Sequence, residues 1–211
     1  MNRNLLKRFA SLGTVLLLLP LLAVVASAQE MVFQLDPAQS HVNFTLGDVL
    51  HTVHGTFQLK SGTIRFDPKT GAASGSLVVD ATSGNSGNKS RDRRMHRQIL
   101  EDDKYPEIVF TPQHVAGKLL PQGASQMELQ GLMTLHGQQH PMTVDMPVQI
   151  NHDQASADVH FIVPYVKWGL KNPSTFILRV SDKVNIDVHA VGHLADSSVA
   201  SSQRLPARNP F

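Results

Sequence analysis

The sequence contains no cysteine, and this absence removes two classes of interpretation. No disulfide can cross-link the chain, so its stability must come from the folded core alone. No cysteine follows the apolar run near the N-terminus either, which excludes a lipoprotein anchor.

Signatures of catalysis are also missing from the sequence. It has no H-E-x-x-H, no P-loop and no Rossmann glycine pattern. Residues 84–88 begin like the turn around a nucleophilic serine, but Asn88 stands where a glycine is required. Carboxylates are scattered singly, which is typical of solvated faces rather than of a catalytic pair. We therefore expect no enzymatic activity, no catalytic residue and no cofactor.

The first 28 residues have the pattern of a cleaved signal peptide. A positively charged segment precedes an apolar stretch from Phe9 to Val25, and Ala26-Ser27-Ala28 supplies the small residues of a cleavage site. An uncleaved anchor helix is the alternative, but Pro20 and the cleavage site favour removal. We predict export to the periplasm, with a mature chain that begins at Gln29.

Removal of residues 1–28 changes the charge of the protein. Three of the 19 Lys and Arg lie in this segment, and all 17 Asp and Glu lie beyond it. The mature chain therefore carries 16 cations against 17 carboxylates, a net charge of −1. This balance does not support a globally basic nucleic-acid-binding protein, and we expect no nucleic-acid partner.

Apolar and polar residues alternate with a period of two along most of the remaining chain. Val42, Phe44 and Leu46 alternate with polar residues, and further short runs follow between turn signals at Ser61-Gly62 and at residues 67–71. Such a pattern predicts an antiparallel sandwich or barrel in one domain, residues 29–195. The later strands are predicted over Ser76–Ala81, Glu107–Val115, Met127–His136, Met142–Ile150, Ala155–Val163 and Lys183–Val191.

One segment breaks the alternation and predicts a short helix. Residues 83–88 form a Gly/Ser/Asn loop, and Ser90 is then a suitable N-cap for a helix from Ser90 to Leu100. Asp92, Met95 and Ile99 share one helical face, so the helix should lie across or beside the barrel. At the other terminus, residues 196–211 lack periodicity and are predicted to be a disordered tail.

Five motifs in order give the sequence a family resemblance. Together they are similar to the YceI-like family of periplasmic polyisoprenoid-binding proteins, from about Val32 to Val191. The motifs are Asp36–Phe44, His54–Phe57, Gly62–Asp67, Arg91-Asp92 with Met95 and Tyr105–Phe110, and Gly131–Gly137. The sequence departs from the family at Gln39, where the family often has His, and at residues 166–169, where Val-Lys-Trp-Gly replaces the more usual Arg-x-x-Phe-Gly.

The resemblance implies an all-β fold, an eight-stranded antiparallel barrel with a lipocalin-like interior. It also implies a secreted carrier or reservoir for an isoprenoid-type lipid, such as a polyisoprenoid, a quinone or a polyprenyl phosphate. The candidate lining residues are apolar residues of the alternating strands, and the alternative is that they fill a solid core. These residues are Phe44, Phe57, Phe66, Val79, Phe110, Met133, Val144 and Phe161.

A basic cluster in the predicted helix is the most prominent electrostatic feature of the sequence. Arginine side chains suit a phosphate or pyrophosphate head group, and Arg91, Arg94 and Arg97 are the candidates for this contact. A solvated helix face, balanced by the carboxylates of residues 101–103, is the alternative. Transient contact with a membrane and formation of a homodimer remain open.

Eleven histidines raise a second hypothesis, that of a metal-buffering or stress-response protein. Their spacing does not favour it. His189 and His193 share a face but lie about 13 Å apart on a strand, too far for one ion. His136 and His140 flank a Gly137-Gln138-Gln139 turn and are the one pair that could meet across a loop. We predict no metal ligands.

Overall fold

The fold consists of nine strand segments and one short helix in the part of the chain that the structure describes. In this computed structural model, the described residues are 30–47, 52–175 and 179–197. The strands are β1 (Met31–Leu35), β2 (His41–Gly47), β3 (Thr52–Phe66), β4 (Ala73–Asn85), β5 (Glu107–Gly117), β6 (Gly123–Leu135), β7 (Gln138–Asn151), β8 (Gln154–Val163) and β9 (Val184–Asp196). Helix α1 (Lys89–Arg94) continues directly into a π-helix (Met95–Leu100).

The strands close into an eight-stranded antiparallel barrel, as predicted. β1 and β2 run in the same direction, and both pair with β3 on one side and β9 on the other. Together they form one interrupted strand, which we call the first barrel strand. The sheet continues from β9 through β8, β7, β6 and β5 to β4, and β4 pairs with β3 to complete the ring.

An Asp-Pro turn interrupts the first barrel strand. The Asp36 carboxylate accepts hydrogen bonds from the Ala38 backbone N–H at 2.9 Å and from the Gln39 side-chain amide at 2.6 Å. These hydrogen bonds lower the pKa of Asp36, and the bond from the Gln39 side chain has the largest effect. The Ser40 hydroxyl then donates to the Asp36 carbonyl and accepts from the Val191 backbone N–H, which rejoins the chain to β9.

The predicted turn at Ser61-Gly62 is wrong. β3 passes straight through these residues, and the register with β4 shifts between Leu59 and Ser61. The small polar pair therefore marks a β-bulge, which bends a long strand around the barrel. Gly62 also leaves space for its neighbour, since a Cβ there would lie 2.5 Å from Cδ2 of Leu77.

The helix begins at Lys89, one residue earlier than predicted, and its N-cap lies two residues earlier than predicted. β4 extends through half of the predicted loop, to Asn85, and Asn88 is the N-cap. Its side-chain oxygen accepts hydrogen bonds from the backbone N–H groups of Ser90 and Arg91. Ser90 is therefore inside the helix and not its cap.

The predicted strand boundaries are otherwise too short at most ends. Each of β4 to β9 extends, at one end or both, beyond the alternating apolar and polar residues that predicted it. Cross-strand pairing continues there into Gly- and Gln-rich segments. β9 includes Asp196, the first residue of the predicted tail. Residues 198–211 of that tail and the predicted signal peptide lie outside the described residues. Within the described ranges, no helix has the length and hydropathy needed to cross a bilayer.

The two ends of the barrel differ in construction. The helix lies at the end where β2, β4, β6 and β8 finish, which we call the helix end. Connections of a few residues close the opposite end, which we call the turn end: residues 67–72, 118–122 and 152–153. The helix end thus carries the longer segments, and these include the connection between β8 and β9.

Gly87 and Gly137 have the same backbone conformation, and comparing them tests the contact between Gly137 and the Tyr105 ring. Gly87 and Gly137 both have φ of +75°, but a Cβ on Gly137 would lie 2.7 Å from the Tyr105 ring, whereas nothing lies within 4 Å of one on Gly87. Gly87→Ala should cost about 1 kcal/mol for the left-handed backbone alone. Gly137→Ala should cost at least about 2 kcal/mol, because the ring must also move. Urea unfolding measures both, and equal losses would contradict the contact.

Candidate ligand-binding site

The inward-facing side chains of the barrel surround a cavity of about 640 Å³. Residues from every strand and from the helix line it, from Leu119 and Leu194 near the turn end to Met95 and Leu100 at the helix end. Protein interiors normally contain few voids larger than a water molecule. The interior is therefore hollow, and its volume lies within the range of small-molecule sites.

All eight predicted lining residues border this cavity. The alternation of β2, for example, sends Val42, Phe44 and Leu46 inward while His41 and Asn43 face outward. The other strands follow the same rule, so the period of two identified the inner wall. The eight are Phe44, Phe57, Phe66, Val79, Phe110, Met133, Val144 and Phe161. Their contact with a ligand stays a prediction.

Two glycines that sequence reasoning missed shape the aromatic part of the wall. The rings of Phe44 and Phe57 lie 5.4 Å apart and are tilted by 45°. A Cβ on Gly55 would lie 2.3 Å from the Phe44 ring, and a Cβ on Gly84 would lie 2.7 Å from the Phe57 ring. Both rings therefore rest against bare backbone. No pattern in the sequence distinguishes these glycines from turn glycines.

Five of the seven methionines line the cavity: Met95, Met127, Met133, Met142 and Met146. Methionine is unbranched and polarisable, so it adapts its shape to an irregular neighbour. Met95 and Ile99, the apolar members of the predicted helical face, point into the cavity from the helix. The helix therefore contributes part of the apolar wall.

Polar groups border the cavity mainly at the helix end. Ser86, Asn88 and Ser90 lie there together with Arg91 and Arg94. The Arg91 guanidinium donates to the hydroxyl and to the backbone carbonyl of Ser86, at 2.7 and 2.8 Å. Arg94 is exposed at the rim, and its side chain has no ion pair or hydrogen bond within the described structure. Arg97, the third predicted head-group contact, does not border the cavity.

Two carboxylates fix the helix to the barrel. Asp92 accepts hydrogen bonds from the backbone N–H and the hydroxyl of Ser86. The buried carboxylate of Asp102 pairs with Nδ1 of His96, whose Nε2 contacts the backbone carbonyl of Gly84 at 2.8 Å. The helix is thus attached, through Asp92 and His96, to the end of β4 and the segment that follows it.

Glu101 connects three segments of the helix end. Its carboxylate lies 3.1 Å from Nε2 of His136 in the β6–β7 turn, and 3.8 Å from Nζ of both Lys104 and Lys171. The hydrogen bond from His136 and the charge of Lys104 lower the pKa of Glu101 below its ordinary value. Glu101 itself has a φ of +48°, in the left-handed region that ends the helix.

The connection between β8 and β9 covers another part of the helix end. The buried Tyr165 hydroxyl donates to the Ser181 carbonyl at 2.6 Å, and burial raises the pKa of Tyr165 to about 12. The rings of Trp168 and His140 stack at 4.2 Å with an interplanar angle of 1°. Burial lowers the pKa of His140, and its Nε2 has no hydrogen-bond partner in the described structure.

The histidine pair at the β6–β7 turn does not form a common site. The turn residues are His136 and Gly137, both with positive φ. The turn therefore begins one residue earlier than the predicted Gly137-Gln138-Gln139 and contains two residues instead of three. His136 faces Glu101 and the Tyr105 ring, whereas His140 stacks on Trp168.

Other histidines pair with aspartates on the outside of the barrel. His160 contacts Asp187 at 2.7 Å, and His189 contacts Asp158 at 2.6 Å. Among the described residues, no group of three or more His, Asp or Glu is arranged to hold a metal ion. The second hypothesis, metal buffering, gains no observation in its favour.

The role of Glu101 predicts a specific pH dependence. Its pKa is lowered in the folded state from an ordinary value of 4.5, so the carboxylate stabilises the fold above that pH. This contribution is lost as the pH falls through the folded pKa. Glu101→Gln should therefore lower the free energy of unfolding at neutral pH and flatten its decline below about pH 4.5. Glu128→Gln, which removes no described ion pair, is the control, and identical acid profiles for Glu101→Gln and wild type would contradict the role.

Comparison with known proteins agrees with this architecture. The chain is similar to UPF0312 proteins of Vibrio cholerae, 25% identical over 171 residues, and of Vibrio parahaemolyticus, 29% identical over the same length. Each match covers 79% of this chain and 88% of the relative.

Solved structures share the fold at low sequence identity. BcnA of Burkholderia cenocepacia matches with a TM-score of 0.61 and 21% identity, over 74% of this chain and 98% of that one. A polyisoprenoid binding domain from Saccharophagus degradans matches with a TM-score of 0.58 and 17% identity, over 77% and 98%. The model of the YceI-like domain matches residues 33–192, nearly the whole described barrel. The chain therefore belongs to the YceI-like family.

Proposed function

We propose that the protein binds one long apolar lipid of the isoprenoid type inside the barrel and acts as a periplasmic carrier or reservoir for it. A polyisoprenoid, a quinone and a polyprenyl phosphate all fit this description. The observation that carries the proposal is the cavity of about 640 Å³, whose wall is apolar along the barrel and polar mainly at the helix end. A ligand with a long apolar tail and one polar end matches this distribution.

The free energy of burying apolar groups favours a ligand with a long tail. Each buried CH₂ group contributes about 0.8 kcal/mol, so a five-carbon isoprene unit contributes roughly 4 kcal/mol before the cost of ordering it. Affinity should therefore rise with tail length until the cavity is filled. The adaptable methionines of the wall suit a branched chain, because they can follow its methyl groups.

Arg91 and Arg94 are the candidates for contact with the polar end of the ligand. Arg91 already donates to Ser86, whereas the Arg94 guanidinium is free to donate to a ligand oxygen at the rim. A guanidinium forms paired hydrogen bonds with phosphate oxygens, and it also donates to neutral carbonyl oxygens. The proposal does not include Arg97, which does not border the cavity.

The isoprenoid class rests on the family relation. The Saccharophagus degradans neighbour is described as a polyisoprenoid binding domain, and this chain shares its fold. We propose binding without chemistry on the ligand, and a periplasmic location on the basis of the predicted signal peptide in residues 1–28.

Co-purification of the ligand tests the function directly. Protein expressed in its native organism should retain an apolar mass of several hundred daltons in native mass spectrometry, and organic solvent should extract it. Val144→Asp places a charge against the ligand tail and should abolish this retention, because an isolated charge in an apolar site is costly. Thr143→Asp, on the neighbouring outward-facing position, should retain the lipid. Loss in both variants, or a wild type that is always empty, would refute the proposal.

Truncation of the wall distinguishes a cavity from a packed core. Phe57 and Phe161 border the cavity and are only half-buried, so Phe→Ala at either should cost less than the roughly 3–5 kcal/mol of a packed phenylalanine. Each change should also reduce the amount of retained lipid. Leu35→Ala is the control, because Leu35 is buried and does not border the cavity. It should cost about 2–5 kcal/mol and leave the lipid content of the folded protein unchanged.

A further inference from the structure

The outer face of the helix carries cations that no described group neutralises. Lys89, Arg93 and Arg97 are exposed and spaced four residues apart, and none of them borders the cavity. Within the described residues, none of the three takes part in an ion pair or a side-chain hydrogen bond. We call these three residues the basic face of the helix.

The charge of the molecule is polarised along the barrel. At the helix end, residues 89–104, 164–175 and 179–183 contain ten Lys and Arg against five Asp and Glu. Two of those five carboxylates, Glu101 and Asp102, already face described histidines. At the turn end, residues 30, 67–72, 118–122 and 152–153 contain two Lys against three Asp and Glu, and one of these carboxylates, Glu30, pairs with Arg65 of β3. A negatively charged surface would therefore attract the helix end and orient the barrel.

The basic face lies on the same helix that lines the cavity. Arg94 and Met95 border the cavity, while Arg93, next to them in sequence, belongs to the basic face. A surface that meets this face therefore also meets the polar rim of the cavity. Because the proposed ligand is a membrane lipid, the surface that supplies it is a bilayer.

We propose that the helix end is a docking surface for an anionic phospholipid bilayer, which places the rim of the cavity against the membrane for lipid exchange. This inference rests on the proposed function for its purpose, but the docking itself depends only on the charges. A cation near an anionic bilayer contributes about a fivefold gain in binding, so the three residues of the basic face give roughly 100-fold together. The attraction is electrostatic and must weaken as salt rises.

Vesicle co-sedimentation tests the docking. The full mature protein should bind vesicles of phosphatidylcholine that contain phosphatidylglycerol, should bind pure phosphatidylcholine vesicles much less, and should be released by salt. Arg93→Glu with Arg97→Glu should weaken binding at least about tenfold. The control is Lys69→Glu with Lys118→Glu at the turn end, which makes the same change in net charge and should alter binding less than about twofold.

The outcomes separate docking from ligand binding. Native mass spectrometry on the same samples should show unchanged lipid in Arg93→Glu with Arg97→Glu, since neither residue borders the cavity. An empty wild type that still binds anionic vesicles would sink the proposed function and leave the docking intact. Equal weakening in the two double variants, or no preference for anionic vesicles, would overturn the docking, and the second result would point to an acidic protein as partner.

Orientation gives an independent measurement. Because the chain has no cysteine, a single environment-sensitive dye can be attached at Gln98→Cys on the helix or at Ser74→Cys near the turn end, both at exposed positions. Anionic vesicles should shift the emission of the dye at residue 98 and leave that at residue 74 unchanged. A shift at residue 74 alone, or equal shifts at both, would contradict the proposed orientation.

Discussion

The backbone hydrogen bonds that run around the barrel hold its wall in place without side-chain packing across the barrel axis. β3 pairs with β4 on one side and with the first barrel strand on the other, so the described sheet has no free edge. Backbone hydrogen bonds connect every strand to two neighbours, and the side chains inside need not meet across the axis. This closure is what allows a cavity of about 640 Å³ in a domain that has no disulfide.

The buried apolar side chains form three clusters. The largest lies inside the barrel and joins side chains of β3, β5, β6 and β7: Ile64, Phe66, Val115, Met127, Leu129 and Val144. One buried cluster joins Leu35, Val42 and Leu59 beside the Asp-Pro turn and the bulge of β3. Another joins Leu135, Tyr165 and Leu170 beneath the β8–β9 connection. These two smaller clusters secure irregular segments to the regular sheet. All buried members of the three clusters except Leu35 also border the cavity, where a ligand would supply their missing contacts.

The sequence predicted the inner wall well because one physical rule governs it. In a strand with one solvated face, alternation assigns each residue to a side, and Phe44, Phe110 and Val144 followed that assignment. The existence of a cavity did not follow from alternation, since the same residues could have filled a solid core. That distinction depends on the number of strands in the ring, which the family resemblance provided.

The errors lie where a local signal has two structural meanings. Ser61-Gly62 has the composition of a turn, but small residues also permit a bulge in a long strand. Asn88 and Ser90 are both good N-caps, and only the point at which β4 stops pairing decides between them. Arg91, Arg94 and Arg97 are equivalent by composition, whereas the path of the helix over the barrel brings only the first two to the cavity.

The same construction determines how a ligand can enter. Passage through the wall would break ladder hydrogen bonds between strands, with polar backbone groups left unpaired against an apolar interior. The helix, in contrast, is attached by a small number of side-chain contacts. These are the polar contacts of Asp92 with Ser86 and of His96 with Gly84, and the apolar contacts of Ile99 and Leu100. Opening the helix end breaks only these few contacts, whereas opening the wall breaks a continuous row of backbone hydrogen bonds. Exchange through the helix end therefore requires the smaller loss, and this end also carries Arg94 at the rim and the basic face outside it.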